Sequence, residues 1–275
     1  MNLYPCGPVV DPKAAERLRL VLSQSADAPT ILDAWPALAP IFAASSYLAG
    51  LARRDPKRLA QLLACDPEDR LAEILARTQR VGDLDAASAV APLRRLKQEL
   101  HLLTALADLG GVWTLDQVTG ALTKFADTAL IAALWAAARS ELAAGRLLSL
   151  GDGEAGPVPG WFCIAMGKQG AFELNYSSDI DVSVFFDPDA LQSVLAPGVE
   201  GLALAVRLTQ RVSDLMQTKT ADGYVFRMDL RLRPDPSSIR KRPNACGWSC
   251  HSPPTARPSS MRGRLSHQSS PPLRT

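Results

Sequence analysis

The chain has 275 residues, of which 47% are hydrophobic, and its formal net charge is +2. This composition is ordinary for a globular protein and excludes a wholly disordered chain. The charge is uneven, because residues 239–275 carry +7 and the remaining residues carry −5. A mildly acidic body does not favour nucleic acid as a partner, since nonspecific binding to nucleic acid requires a basic surface.

Two further features bear on where the protein resides. Five cysteines at irregular spacing fit a reducing compartment, and the N-terminus lacks a signal-peptide pattern, so we expect a cytoplasmic protein. Residues 34–52 are uncharged and long enough to span a membrane. Pro36, Pro40 and Gly50 interrupt this stretch, which favours a buried helix and no membrane partner.

Residues 1–150 are predicted to form a helical region, because Ala, Leu, Arg and Glu dominate them. Asp can cap a helix and Pro suits its first position. This signal marks helix starts at residues 11–12, 55–56 and 66–67. Two long amphipathic helices are predicted over residues 83–110 and 115–145. His101 lies in the first of them and is interpreted as a structural residue.

Residues 151–160 (GDGEAGPVPG) have the composition of a linker. They divide the helical region from a strand-bearing core, predicted over residues 161–238. Within this core, the apolar runs at residues 161–166 and 180–186 predict two strands joined by a polar turn.

The rest of the core predicts one helix and a third strand. A helix is expected over residues 196–221, with a buried side formed by Leu202, Val206, Thr209, Val212, Leu215 and Met216. Residues 224–233 (YVFRMDLRLR) alternate apolar and charged side chains, as a half-buried strand does. The order strand, turn, strand, helix, strand predicts an α+β fold with a small mixed sheet.

Two acidic residues begin the second predicted strand. Asp179 and Asp181 are two positions apart, so in an extended strand their side chains share one face. Neighbouring carboxylates repel each other, and a hard divalent cation such as Mg²⁺ relieves that repulsion. The pair therefore predicts a metal site, although a solvated strand start remains an alternative.

The third predicted strand adds one more carboxylate. Asp229 stands on its charged side with Arg227, Arg231 and Arg233. Aspartate suits the cation, and guanidinium groups suit phosphate oxygens, so we predict that Arg231 and Arg233 bind phosphate or nucleotide. The alternative is a simple ladder of salt bridges along the strand.

The polar turn between the first two strands supplies further candidates. Gly167 precedes Asp179 by twelve positions, and this Gly-x11-Asp-x-Asp spacing is the layout of the nucleotidyltransferase superfamily related to DNA polymerase β. Lys168, Ser177 and Ser178 are candidate phosphate ligands. The alternatives are a solvated loop lysine and serines that only form turns.

Longer segments resemble a more specific family. AMGKQGAFELNYSSDIDVSVFFD, GYVFRMDLRLRPDPSS and WPALAPIFAASSYLAGLARRDP resemble the glutamine synthetase adenylyltransferase/adenylyl-removing enzyme family over roughly residues 30–238. Members have two nucleotidyltransferase domains in tandem, and this chain resembles the first, adenylyl-removing domain. Glutamine synthetase, the PII signalling protein, phosphate and nucleotide (ADP or ATP) are the partners that the resemblance implies.

The resemblance also implies a reaction. Inorganic phosphate attacks the adenylyl-tyrosine of glutamine synthetase, and ADP and free tyrosine are released. Asp179, Asp181 and Asp229 are then the catalytic metal ligands, for Mg²⁺, and Gly167 lets the backbone approach phosphate. Glu173 belongs to the same motif, but we assign it no step.

The resemblance stops at Ser238, and the composition then changes. Residues 239–275 contain seven Ser, six Pro and six Arg without periodicity, which predicts a disordered basic tail or a segment read in a shifted frame. Two hypotheses therefore stay open beside the adenylyl-removing enzyme. In the first, the chain is an inactive fragment that only binds glutamine synthetase or PII. In the second, it is a nucleotidyltransferase that acts on another acceptor.

Overall fold

The computed structural model describes residues 1–151 and 156–230. Over these ranges the helices are α1 (Pro12–Leu22), α2 (Ala28–Asp33), α3 (Trp35–Ala44), α4 (Ser46–Arg54), α5 (Pro56–Ala64), α6 (Pro67–Val81), α7 (Ala86–Leu109), α8 (Leu115–Ala143), α9 (Gly167–Gly170), α10 (Pro188–Gln192) and α11 (Gly201–Gln217). The strands are β1 (Trp161–Met166), β2 (Ile180–Phe186) and β3 (Met228–Asp229).

The three helix starts predicted from Asp followed by Pro are confirmed. The Asp11 carboxylate accepts a hydrogen bond from the Ala14 amide at 2.9 Å, at the start of α1. Asp55 and Asp66 cap α5 and α6 in the same way. Each cap accepts hydrogen bonds from amide groups that have no partner inside the helix. These amides lie two or three residues after the Asp, so the short sequence Asp-Pro is enough to predict the helix start.

The long helices α7 and α8 form the centre of the helical region and pack on each other and on α6. Helix α8 is long and apolar enough to cross a membrane, but 72% of its most apolar window is buried inside the protein. The uncharged stretch at residues 34–52 instead forms parts of the two shorter helices α3 and α4.

The predicted mixed sheet is confirmed. Its strand order is β1-β2-β3, with β1 antiparallel to β2 and β2 parallel to β3. Helix α11 lies in the connection between the two parallel strands and packs against α8. The Trp161 side chain at the start of β1 is 3% exposed, and its indole nitrogen donates to Thr209 of α11. The strand-bearing core therefore packs on the helical region through this helix.

The predicted buried side of α11 is wrong in its first half. Leu202 and Val206 are 53% and 46% exposed, whereas Leu204 and Leu208 are fully buried. Both pairs have four-residue spacing, so periodicity allows either stripe to face inward. Because α11 packs against α8, the stripe that contains Leu204 and Leu208 is the one that is buried. The helix is also shorter than predicted, because it begins at Gly201 and ends at Gln217.

The third strand is shorter than predicted in the described part of the chain, where it covers only Met228–Asp229. The amides of Val225 and Phe226 both donate to the Met216 carbonyl, at 2.8 and 3.0 Å. Those amides are therefore used by the end of α11 and are not available to a strand partner. Residues 231–275, which include the predicted basic tail, lie outside the described residues, as do residues 152–155 of the predicted linker.

Buried polar side chains of α7 hold the segment that leads into β3. The donors are Arg94, Lys97 and Gln98, which are 1%, 6% and 8% exposed. The carbonyl oxygens that accept from them belong to Thr218, Asp222, Gly223 and Val225. These bonds join two segments more than 120 residues apart in the chain, and they fix where β3 begins.

Candidate active site

Two of the three predicted carboxylates are brought together. Asp181 of β2 and Asp229 of β3 are register partners in the parallel pair. Partner residues on adjacent strands place their side chains on the same face of the sheet. Both residues are half-buried. The fold therefore makes these two acidic residues adjacent, although 48 positions separate them in the chain.

The third carboxylate has a different partner. Asp179 lies one residue before β2, is exposed, and accepts a hydrogen bond from Arg227 Nε at 2.5 Å. The same guanidinium donates to the Ser177 carbonyl at 2.9 Å and to the Tyr224 hydroxyl at 3.2 Å. The hydrogen bond to Asp179 is the main reason why the pKa of Arg227 is raised. The Asp179 carboxylate is therefore already bound by a cationic side chain of the protein, the Arg227 guanidinium.

The expected cluster of three carboxylates is consequently not formed in this structure. Within residues 1–151 and 156–230, no group of three or more His, Cys, Asp or Glu residues is placed to hold a metal ion. Asp181 and Asp229 form a pair, and Asp179 is turned to Arg227. Arg227 was noted as part of the charged strand side, but its contact with Asp179 was not predicted, because their separation of 48 residues leaves no local signal.

Gly167 stands where any side chain would be strained. Its φ angle is +54°, in the left-handed region, and a Cβ atom there would lie 2.3 Å from Asp181 Oδ2. Met166, the preceding residue, is the register partner of Asp181 across the antiparallel pair. The glycine is thus required by the close approach of the acidic side chain to the turn.

The turn after β1 is anchored through a residue that the sequence reasoning missed. Gln169 is 2% exposed, and its side-chain amide donates to Asp127 of α8 at 2.7 Å. Lys168 beside it is exposed, and its carbonyl accepts from the Glu173 amide at 2.8 Å. The Lys168 ammonium is therefore carried on an anchored turn at the end of β1.

The two serines have separate surroundings. Ser178 exchanges hydrogen bonds with Asn175, since its hydroxyl accepts from the Asn175 amide at 3.3 Å and its amide donates to the Asn175 carbonyl. This turn-forming arrangement is the alternative to a phosphate ligand at Ser178. Ser177 is exposed, and its carbonyl binds Arg227. Arg231 and Arg233, the predicted phosphate ligands, lie outside the described residues.

The face that carries the acidic pair is open and partly apolar. Phe162, Ile164 and Met166 of β1 are 49%, 47% and 41% exposed. They alternate with buried or half-buried residues, so they share the face on which Asp181 lies opposite Met166. The two carboxylates therefore lie on a sheet face whose apolar edge is open to solvent.

Comparison with known proteins identifies the family to which the sequence is similar. Residues 35–240 match the family described as Glutamate-ammonia ligase adenylyltransferase. A relative from Caulobacter vibrioides is 58% identical over 240 residues, which is 86% of this chain and 24% of the relative. One from Bradyrhizobium sp. (strain ORS 278) is 52% identical over 205 residues, which is 73% of this chain and 20% of the relative.

Both relatives are named bifunctional glutamine synthetase adenylyltransferase/adenylyl-removing enzymes. The chain spans about a quarter of the length of these curated relatives or less. The family model covers most of the chain, including every described residue of the acidic face. The chain therefore belongs to the glutamate-ammonia ligase adenylyltransferase family, within the polymerase-β-like nucleotidyltransferases.

Proposed function

We propose that this chain carries the adenylyl-removing reaction of its family, acting on glutamine synthetase. An oxygen of inorganic phosphate bonds to the phosphorus of adenylyl-tyrosine, and the bond from that phosphorus to the tyrosine oxygen breaks. The products are ADP and a tyrosine that takes up a proton. The observation that carries the proposal is the pairing of Asp181 with Asp229 on an open sheet face, with Gly167 packed against the first.

The direction of the reaction is inferred from two features. The names of the relatives contain both adenylyl transfer and adenylyl removal. The sequence of this chain resembles the first of the two tandem domains, the one assigned to removal. Transfer and phosphorolysis use the same arrangement of acidic residues, so the site by itself is compatible with both.

Mg²⁺ is the cofactor that the donor set suits best. Asp181 and Asp229 would hold it, because carboxylate oxygens are its preferred protein ligands. Asp179 would join them after exchanging its bond with Arg227 for the cation. When bound, Mg²⁺ would polarise the phosphoryl oxygens and offset the charge that develops on the leaving oxygen.

The remaining roles belong to the chain's own polar groups. Lys168 is exposed on the anchored turn and would supply positive charge to the phosphate. Ser177 and Ser178 would donate hydroxyl hydrogen bonds to phosphate oxygens. Arg231 and Arg233 are proposed to bind the attacking phosphate or the nucleotide, as the alternation of the sequence suggests.

We also infer the cellular setting from these features. A protein acceptor fits the open apolar face beside the acidic pair, because a buried slot would exclude a folded partner. PII, ADP and ATP are proposed as further partners from the family resemblance, and a cytoplasmic location from the cysteine usage.

The experiment is an assay of phosphate-dependent ADP release from adenylylated glutamine synthetase, with the whole chain and Mg²⁺. We expect release that requires phosphate and disappears in Asp181→Asn, while Asp214→Asn, an exposed change on α11, leaves it intact. A complex with glutamine synthetase but no turnover would instead support the non-catalytic alternative. Transfer of AMP to another acceptor would support the third hypothesis. Either of these results overturns the proposal.

A further inference from the structure

A cavity of about 690 Å³ lies between the helical region and the segments that flank the acidic face. Its walls come from α4, α7, the turn at residues 176–177 and the segment 219–224. Pockets of this size commonly take small organic molecules. None of the predicted metal ligands lines it, but Ser177, a candidate phosphate ligand, does, so the cavity adjoins the carboxylate pair without containing it.

The cavity walls carry more cationic side chains than carboxylates. Arg54, Lys97 and Lys219 line it, and none of them makes a salt bridge within the described part of the chain. The two acidic residues in its walls have other partners: Asp108 accepts from the Tyr176 hydroxyl at 3.0 Å, and Asp222 pairs with Arg95 at 3.4 Å. The Tyr176 hydroxyl is neutral, so Asp108 keeps its negative charge, and the walls set three cationic side chains against this one carboxylate. The balance of charge in the walls is therefore positive.

Lys97 makes this imbalance costly. It is 6% exposed, and its ammonium donates to the Val225 carbonyl and lies 4.1 Å from the centre of the Phe226 ring. Burial, with a contribution from the charge of Arg227, lowers the pKa of Lys97 to about 7. A buried ammonium without a counter-charge is unfavourable, and an anion in the cavity would relieve that cost.

The aromatic side chains in the cavity walls favour a ligand that contains a planar ring. Tyr47, Tyr176 and Tyr224 line the cavity. His101 lies between the first two, in edge contacts with ring-centre distances of 5.9 and 6.0 Å. Burial lowers the pKa of His101 to about 3, so it is neutral at pH 7 and adds no charge. Aromatic side chains of this kind pack well against a flat ring.

We infer that this cavity binds a small organic anion that carries an aromatic or heteroaromatic ring. The anionic group would meet Arg54, Lys97 and Lys219, and the ring would lie against the tyrosines. The site goes beyond the proposed function, since it requires neither the metal nor the carboxylate pair. It is nevertheless close to them, because Tyr224 in its wall binds the same Arg227 that holds Asp179.

The test is isothermal titration of AMP into the whole chain, because AMP combines a phosphate with a heteroaromatic ring. We expect binding that is weakened at least tenfold, or about 1.4 kcal/mol, in the double variant Arg54→Gln/Lys219→Gln. Both side chains are exposed, so the core is not disturbed. Arg53→Gln is the matched control, since Arg53 is exposed and does not line the cavity, and it should bind AMP like the original chain.

Two compounds that each contain only one half of AMP test whether the cavity requires both an anion and a ring. Adenosine lacks the anion and inorganic phosphate lacks the ring, so each should compete at least tenfold less well than AMP. The inference is overturned if AMP does not bind, if either of these two compounds competes equally well, or if Arg53→Gln weakens binding as much as the double variant does.

Asp181→Asn separates this inference from the proposed function. If the variant still binds AMP, the cavity and not the acidic face is the binding site. If it loses AMP, the nucleotide belongs to the acidic face, which overturns the inference and leaves the proposed function standing. Failure of the ADP-release assay would overturn the proposed function without affecting AMP binding here.

Discussion

Arg227 donates a hydrogen bond to Asp179 over 2.5 Å, so a cation of the chain neutralises one of the three acidic side chains proposed to hold Mg²⁺. The other two, Asp181 and Asp229, lie side by side across β2 and β3. The proposed metal site therefore contains a built-in competitor for the cation, and this competition can be measured.

Replacing Arg227 should strengthen Mg²⁺ binding. Arg227→Gln removes a positive charge that competes for Asp179, and exposed ion pairs are worth up to about 1 kcal/mol. We expect the dissociation constant for Mg²⁺, measured by calorimetry, to fall about threefold. Arg95→Gln makes the same charge change at the Asp222 pair and should have no such effect. Unchanged or weaker Mg²⁺ binding in Arg227→Gln would contradict the idea of competition.

Neutralising one carboxylate should stabilise the metal-free protein. Like charges opposite each other on adjacent strands destabilise a sheet, so Asp181→Asn should raise the free energy of unfolding in EDTA by about 0.5 kcal/mol. The same variant should lose the stabilisation that added Mg²⁺ gives the original chain. Urea titrations with and without Mg²⁺ measure both effects. Asp214→Asn is the control, and equal behaviour of the two variants would argue against a repelling pair.

Gly167→Ala should be clearly destabilising. The added Cβ would stand 2.3 Å from Asp181 Oδ2, and the φ angle of +54° is unfavourable for alanine by about 1–2 kcal/mol. We expect at least that loss in the free energy of unfolding, together with loss of activity. Gly120→Ala, inside α8 with nothing within 4 Å of its Cβ position, should instead stabilise by up to about 1 kcal/mol. Similar effects at the two positions would show that the contact with Asp181 is not limiting.

Lys97 should make stability depend on pH. Its pKa falls from the ordinary value of 10.5 to about 7 in the folded protein, so between these values the unfolded chain binds more protons. Stability should therefore rise with pH across this window, by up to about 1.4 kcal/mol per pH unit, and should be insensitive to Lys97 below pH 7.

Comparison with Lys97→Met isolates this contribution. The variant cannot titrate at position 97, so its free energy of unfolding should rise less steeply from pH 7 to 10 than that of the original chain. The measurement is a series of urea titrations in buffers free of phosphate and nucleotide. Parallel pH profiles for the two proteins would show that Lys97 keeps its ordinary pKa when folded.

The features predicted correctly from sequence are those set by nearby residues. Asp11, Asp55 and Asp66 cap helices through amides two or three positions ahead. The two strands around Gly167 follow from short apolar runs. Each of these signals lies within about one turn or one strand, so no knowledge of the fold was needed.

The features missed depend on partners far along the chain. Which stripe of α11 is buried depends on α8, and Leu202 and Leu204 are equally apolar in sequence. The late start of the charged strand depends on the Met216 carbonyl, which accepts hydrogen bonds from the amides of Val225 and Phe226. The bond between Arg227 and Asp179 likewise joins residues that no local pattern connects.

The polar side of α7 has a consequence for how this enzyme family can be divided. Arg94, Lys97 and Gln98 hold the backbone that delivers Asp229 to the sheet. A catalytic core excised without its preceding helices would expose these carbonyls to water and lose the alignment of its second acidic strand. The helical segment is thus a scaffold for the strand that carries Asp229, and the smallest transplantable unit must include both parts.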